Sequence, residues 1–561
     1  MHRRTGIFAR GRGWIALPAA VLGLSNCATP DGTWELDPNE APIEVIHAAL
    51  VSPTKILAIG GSQYNCCYKW GYIAAYVYDI PGKSWTSVGG PYVFTGDKEN
   101  VDAFCSGMVQ DGWAQGNIIV AGGLRDVVTK NGQGILRAAR FNAALSNWTQ
   151  LGDLPARRYY PTLVSGLDHV MMFAGADNLN DDRIFKKLRD QNTWIDTKVS
   201  HRTTATYPRV HLLPDGRYFI VSPEAKTGRN YYYHSSNYLT EAGPAVVPGF
   251  EQDGNIYKGF HFSSVLLPLK PLGGAYPEAK VLITNGLVYY TRDAMNPNSS
   301  WVPTQARPKE SGFPMERPDA TATLLPTEQV FLDGGTVGGS DAKAVKRPEL
   351  YGVDVGGSLW GETWSLQPPA TVTRNYHSVS LLLPDGRVWT AGSNKNATGS
   401  QCTSELGCSA AGPDNRERRV EIFAPWYYNN PDPALARPVI TSCPEMPGIG
   451  TNYTIGIGGN KGTDIKKVVL IRTGSVTHSW NNDQRLVRLD IVSSTASSVT
   501  VKSPYTFAAA PAGTYLLFVL KTGPAKSSPL IPSEGCWLQR PTVQIPKPPI
   551  EIPPKRPLDI R

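Results

Sequence analysis

The sequence predicts an all-β protein, a seven-bladed β-propeller followed by an immunoglobulin-like β-sandwich. Three observations carry that prediction. The 561-residue chain is rich in turn and strand formers (Gly 55, Pro 46, Trp 14, Tyr 25, Phe 15), and no stretch reads as a long amphipathic helix. One strand–turn–strand pattern recurs about seven times at a spacing of roughly 45–60 residues. After the last copy the pattern stops and a different alternation begins.

The N-terminus reads as an address. Arg3, Arg4, Arg10 and Arg12 precede an apolar run, Trp14 to Leu24, that is too short to span a bilayer. Residues 1–27 are expected to be a secretory signal peptide. Two outcomes stand side by side, cleavage and release or lipid anchoring through Cys27, with the protein secreted or periplasmic in either case. No transmembrane segment is expected in the mature chain. The formal charge of +8 falls to +4 without the four leader arginines. That balance is small and scattered, and it argues against a nucleic-acid partner.

Residues 28–436 hold the repeat. Its clearest copies are Tyr376 to Gly392 (YHSVSLLLPDGRVWTAG), Tyr207 to Ser222 and Arg317 to Gly335, with weaker ones starting at His47, Cys105, Tyr160 and His261. Each is a short strand, an Asp-Gly-like turn and an apolar strand ending in glycine. Glycine tolerates the positive φ of such a turn. The spacing is too long for a solenoid coil and fits kelch-type propeller blades. Trp85 and Trp148 are placed to lie on outer strands, and Glu421 to Tyr427 is read as the strand that closes the ring.

Residues 437–540 are expected to form the sandwich, with strands near Tyr453–Ile457, Lys467–Ile471 and Leu486–Ile491. Residues 541–561 are a proline-rich, extended tail. Of eight cysteines, Cys443 and Cys536 could staple the sandwich and Cys402 could bridge Cys408. Cys66 and Cys67 are adjacent, and vicinal bridges are strained. Cys105 has no obvious partner.

Blades are related by rotation about a channel, so equivalent positions share one ring. Eight residues before Asp385, Asp168, Asp215, Thr327 and Leu269 lie His377, Tyr160, Tyr207, Asp319 and His261, and Cys105 takes the same place in its copy. Such a ring predicts a site at the channel mouth. Histidine nitrogen and tyrosine oxygen suit Cu(II). A tyrosine joined to a cysteine sulfur would be easier to oxidise, because sulfur donates electron density to the ring.

Four segments extend this reading: Phe104-Cys105-Ser106-Gly107, Arg158-Tyr159-Tyr160-Pro161-Thr162, Arg374-Asn375-Tyr376-His377-Ser378, and Thr477-His478-Ser479 with Asn482-Asp483-Gln484-Arg485. In this order they resemble the galactose oxidase and glyoxal oxidase family of copper-radical oxidases, closer to the glyoxal oxidase branch. The resemblance implies a copper cofactor and a Cys105–Tyr160 thioether carrying a tyrosyl radical. Tyr160 and Tyr376 would be copper ligands, Tyr376 also taking the substrate's hydroxyl proton. His377 and His478 would be the imidazole ligands, His478 reaching in from the sandwich.

The implied reaction is oxidation of a small aldehyde or primary alcohol by O₂ with release of hydrogen peroxide. The alternatives are a galactose oxidase-like carbohydrate alcohol oxidase and a non-catalytic kelch propeller that binds glycan or protein. Tyr207, His261 and Asp319 are candidates for shaping the pocket, and Trp70 for shielding the radical. A propeller with its sandwich closes its own core, so a monomer is expected.

Overall fold

The computed structural model describes residues 31–540 apart from the segments 61–73, 93–100, 126–133, 176–180, 189–190, 202–205, 222–227, 249–261, 310–315, 338–339, 353–361, 394–416 and 524–529 and positions 113, 174 and 285. Cys66, Cys67, Trp70, His261, Cys402 and Cys408 lie outside the described residues, as do Cys27 and the tail. Among the described residues there is no α-helix, and no helix is long and apolar enough to cross a membrane.

Seven four-stranded antiparallel units form the blades of a propeller. Their innermost strands are His47–Ser52, Gly107–Gln110, Thr162–Ser165, Val210–Leu212, Ser264–Leu266, Ala320–Leu324 and Val379–Leu382. The apolar residues of these strands are buried on both faces, which explains why they read as continuous hydrophobic runs rather than alternations. Trp85 and Trp148 lie on the outer strands Ser84–Gly89 and Asn147–Gln150.

The Asp-Gly turns show why that sequence recurs. Gly386 and Gly216 take φ of 87° and 89°. Asp385 accepts from the backbone N–H of Arg387 at 3.0 Å, and Asp215 from that of Arg217 at 3.0 Å. The glycine that ends a copy has a separate cause. A Cβ on Gly392 would stand 2.1 Å from the Val45 carbonyl oxygen and 2.7 Å from that of His377. The neighbouring blade's backbone rests where a side chain would be.

Ring closure differs from the sequence reading. Glu421–Ala424 is the third strand of the last blade, and Thr33–Leu36, from the other end of the chain, supplies the outermost one. A Pro30-Asp31-Gly32 turn signal precedes this short strand, but nothing local marks the last blade as its partner. Trp34 anchors it: its indole donates to the Pro368 carbonyl at 2.8 Å and its ring lies 5.2 Å from Phe423. Such an aromatic pair adds about 0.5–1.5 kcal/mol beyond burial.

The remaining strands form two sheets. One orders Val439–Ser442, Asn452–Gly458, Ser498–Lys502 and Ile491–Ser494; the other is built on Ile465–Arg472 and Gly513–Thr522. Cys443 and Cys536 are disulfide-bonded across 93 residues. From this unit a hairpin, Ser475–Thr477 and Trp480–Asn482, enters the propeller channel and pairs with its first blade, His47 opposite Thr477. The inner strands of a propeller are open edges that leave backbone groups unpaired. The inserted segment satisfies several of them. The Asn482 amide donates to the Leu163 carbonyl, and Gln484 donates to the Ala322 carbonyl at 2.7 Å while accepting from Leu324 N–H at 3.0 Å. Hairpin and channel therefore fold as one piece.

Candidate active site

The turn of the inserted hairpin is His478-Ser479, and it ends at the ring of equivalent positions. Cys105, Tyr160, Tyr207, Asp319 and His377 all have left-handed backbone, with φ of 61°, 53°, 46°, 64° and 71°, and His478 joins them at 47°. A non-glycine residue there costs about 1–3 kcal/mol, so the surroundings must hold it. They do so by a belt of backbone hydrogen bonds from blade to blade. Tyr160 N–H donates to Cys105 O and Tyr207 N–H to Tyr160 O, each at 2.7 Å. His478 N–H reaches Ile46 O at 3.4 Å and Ser479 N–H reaches Ser378 O at 2.9 Å.

The five residues expected to act together converge. The Tyr160 and Tyr376 hydroxyls are 3.4 Å apart, and Cys105 Sγ lies 3.5 Å from His478 Nε2. The His377 and His478 rings are 4.8 Å apart, with Tyr160 and Tyr376 at 5.4 and 5.5 Å from His478. Phe104 packs on both imidazoles at 5.3 and 5.2 Å. Cys105, His377 and His478 are buried, while the two tyrosines keep partial contact with solvent. Tyr159 packs on Tyr160 with the rings tilted by 53°, and Tyr160 is the one of that pair whose hydroxyl meets Tyr376.

Burial fixes the protonation of the metal-free site. It pushes the Cys105 thiol and the Tyr160 hydroxyl well above their ordinary values and holds His478 well below its own. Thiol, phenol and imidazole are therefore all neutral. The His478 tautomer follows from its neighbours. The Tyr207 hydroxyl donates its hydrogen to the Ser106 carbonyl at 3.0 Å, so toward His478 Nδ1, at 3.2 Å, its oxygen accepts. Thr477 Oγ1 stands 2.6 Å from the same Nδ1. The proton belongs on Nδ1, and Nε2 turns its lone pair into the site.

The donors fit a copper ion. Two imidazoles and two phenols bring N and O donors together, and burial makes the Tyr160 phenol costly to ionise without a cation nearby. Among the described residues no three His, Cys, Asp or Glu side chains gather to hold a metal.

The glyoxal oxidase N-terminus family model matches residues 98–427, more than half of the chain. The chain belongs to the glyoxal oxidase family. A second model, the galactose oxidase-like early set domain, matches residues 437–539, the part that carries the inserted hairpin. Among the relatives of this glyoxal oxidase family member is a galactose oxidase of Gibberella zeae, 25% identical over 447 residues, covering 75% of this chain and 59% of that protein. The chain thus spans about three-fifths of that relative's length. Aldehyde oxidase GLOX1 of Arabidopsis thaliana is 27% identical over 473 residues, covering 77% of this chain and 72% of the relative. A solved structure described as a novel fungal alcohol oxidase of the AA5 family in complex with copper superposes with a TM-score of 0.68 over 91% of this chain and 100% of its own, at 19% identity. That likeness is one of fold.

Two of the pocket candidates take other places in this glyoxal oxidase family member. Tyr207 is buried behind His478 rather than lining an opening. Asp319 is buried on the ring, where its charge bears on the buried Arg209. Two residues near the centre are not among the site residues expected from sequence: Glu44, and His47, which marks only the start of the first repeat there. His47 is fully buried with its ring 5.6 Å from that of His478. Its position one residue beyond the ring register is the signal that could have found it.

Proposed function

We propose that this protein is a copper-radical oxidase that converts a small aldehyde or primary alcohol with O₂ and releases hydrogen peroxide. The observation that carries the reading is the 3.4 Å meeting of the Tyr160 and Tyr376 hydroxyls in front of Cys105, His377 and His478. Tyr160, Tyr376, His377 and His478 would hold the metal, and Cys105 would be joined to Tyr160 by a thioether. Bound there, copper together with the oxidised, sulfur-substituted tyrosine supplies a centre that takes two electrons from the substrate and returns them to O₂.

The protein residues have separate tasks. Tyr376 is partly exposed, and its oxygen would accept the proton of the substrate's hydroxyl. Tyr160, its hydroxyl 3.4 Å from that of Tyr376, would take the hydrogen from the neighbouring carbon. Cys105, buried behind Tyr160, tunes the ring through sulfur. Tyr207 and Thr477 hold His478 in the ligating tautomer. The belt of backbone hydrogen bonds fixes these groups before substrate arrives, which is where positioning contributes to rate.

The Arg158-Tyr159-Tyr160-Pro161-Thr162 segment and the relatives named aldehyde oxidase favour small aldehydes. The Gibberella relative named galactose oxidase favours a carbohydrate alcohol as the second reading. One chain supplies every proposed ligand, so a monomer suffices. The leader at residues 1–27 fits export, where copper and O₂ are both met.

Copper stoichiometry and peroxide release, measured on glyoxal-type aldehydes, simple primary alcohols and galactose, test the proposal. One copper per chain with peroxide from the aldehydes supports it. Peroxide from galactose alone selects the carbohydrate reading. Bound copper with no peroxide from any of them overturns the oxidase and leaves a binding propeller.

A further inference from the structure

The stretch Glu44 to His47 enters the first blade and touches both imidazoles. Ile46 is tied on each side, its N–H to Ile59 O at 3.1 Å and its carbonyl to His478 N–H at 3.4 Å. His47 continues as the strand partner of Thr477. Two residues before Ile46, the Glu44 side chain is buried, 6% exposed, with Oε1 3.9 Å from His377 Nδ1. Ile46, Phe104 and Leu124 form a small cluster with Cys105, and Phe104 packs on His377.

A carboxylate is costly to bury without a polar partner, so its place behind one particular nitrogen calls for an explanation. His377 has two ring nitrogens with different duties. Nδ1 faces the carboxylate, and Nε2 is buried on the other edge of the ring. An imidazole that ligates through Nε2 must be neutral with its proton on Nδ1. At 3.9 Å the Glu44 oxygen stands beyond hydrogen-bond reach of Nδ1, so its action is electrostatic: negative charge there favours the Nδ1–H tautomer and raises the basicity of the ligating nitrogen.

We propose that Glu44 is the positioning residue of His377 for the metal, as Tyr207 and Thr477 are for His478. The inference rests on the copper reading above and adds to it a residue outside the four motif segments. The two imidazoles are thereby held by different chemistry. His478 has neutral hydroxyls behind it and His377 has a carboxylate, which makes His377 the more strongly donating ligand.

The test compares full-length mature protein with Glu44→Ala and Glu44→Gln. Cu(II) affinity is read by competition with a chelator, and the Cu(II) environment by electron paramagnetic resonance. The melting temperature of the copper-free protein is the folding control. Glu44→Ala is expected to weaken Cu(II) binding by about 10–100-fold and to alter the Cu(II) spectrum. Glu44→Gln keeps an acceptor oxygen of the same reach without the charge, and should recover part of the affinity. Should Glu44→Ala fail to fold, Glu44→Gln carries the comparison, weaker binding at an unchanged copper-free melting temperature being the supporting result. Wild-type affinity and an unchanged spectrum in every variant that folds overturn the assignment while leaving the copper reading intact. Wild-type protein that takes up no stoichiometric copper overturns both.

Discussion

Tyr160 donates its backbone N–H to the carbonyl of Cys105 at 2.7 Å, and both residues have left-handed backbone. Neighbouring blades are thus tied at the two residues whose side chains the proposed cofactor joins. Peptide analysis of copper-treated, aerated protein, after reduction and alkylation, should find a fragment uniting the Cys105 and Tyr160 peptides. Its mass should be lower than their sum by the two hydrogens lost. An alkylated Cys105 beside unmodified Tyr160 in copper-loaded protein would sink the radical cofactor. Cys105→Ser should fold, lack the fragment and lose turnover.

Tyr207→Phe removes the hydroxyl that links Ser106 to His478. Copper affinity should fall by about 10–100-fold, since the imidazole loses part of what holds its tautomer. Stability should fall by about 1–3 kcal/mol, because the buried Ser106 carbonyl is left without this donor. An unchanged copper affinity would show that Thr477 suffices.

Two buried groups predict opposite responses to acid. Burial, then the charges of Arg485 and Arg209, lowers His211 to about 3, so it is neutral when folded and titrates near 6.5 when unfolded. Between those values the unfolded chain binds more protons, and stability drops by about 1.4 kcal/mol per pH unit on acidification. Burial raises Asp333 to about 6 against an unfolded 3.8, so it contributes stability that is full below 3.8 and lost as pH rises through 6. Urea midpoints compared at about pH 7 and about pH 5 should show a shallower acid loss in His211→Gln and a steeper one in Asp333→Asn. Equal slopes in all three proteins would refute the assignment.

The Cys443–Cys536 bond closes a loop of 93 residues that contains the His478 hairpin. Replacing both cysteines with serine should cost about 2–5 kcal/mol. It should also speed loss of copper to a chelator, because the ligand hairpin is tethered through this domain. A normal melting temperature would show that sheet pairing alone holds the sandwich.

Much of the centre was legible because it repeats. The turn register placed Cys105, Tyr160, Tyr207, Asp319 and His377 on one ring, and the structure gives all five the same backbone conformation. What the register could not carry is where a ring side chain goes next. Tyr207 looked like a pocket residue and instead backs His478, since that depends on a hairpin contributed from far along the chain. Glu44 precedes the first repeat and has no counterpart to align with. Thr33–Leu36 closes the last blade through pairing with Glu421–Ala424, and no local pattern names a partner so far along the chain.

The hairpin that joins His47 to Thr477 also sets an order of events during synthesis. A ribosome making this chain releases Cys105, Tyr160, Tyr376 and His377 well before His478. Until the sandwich has emerged and its hairpin has entered the channel, the nascent protein lacks a ligand and the channel edges lack their partners. The centre can therefore be completed only in a molecule that is nearly whole, and a chain cut short anywhere before the hairpin cannot assemble the proposed copper site.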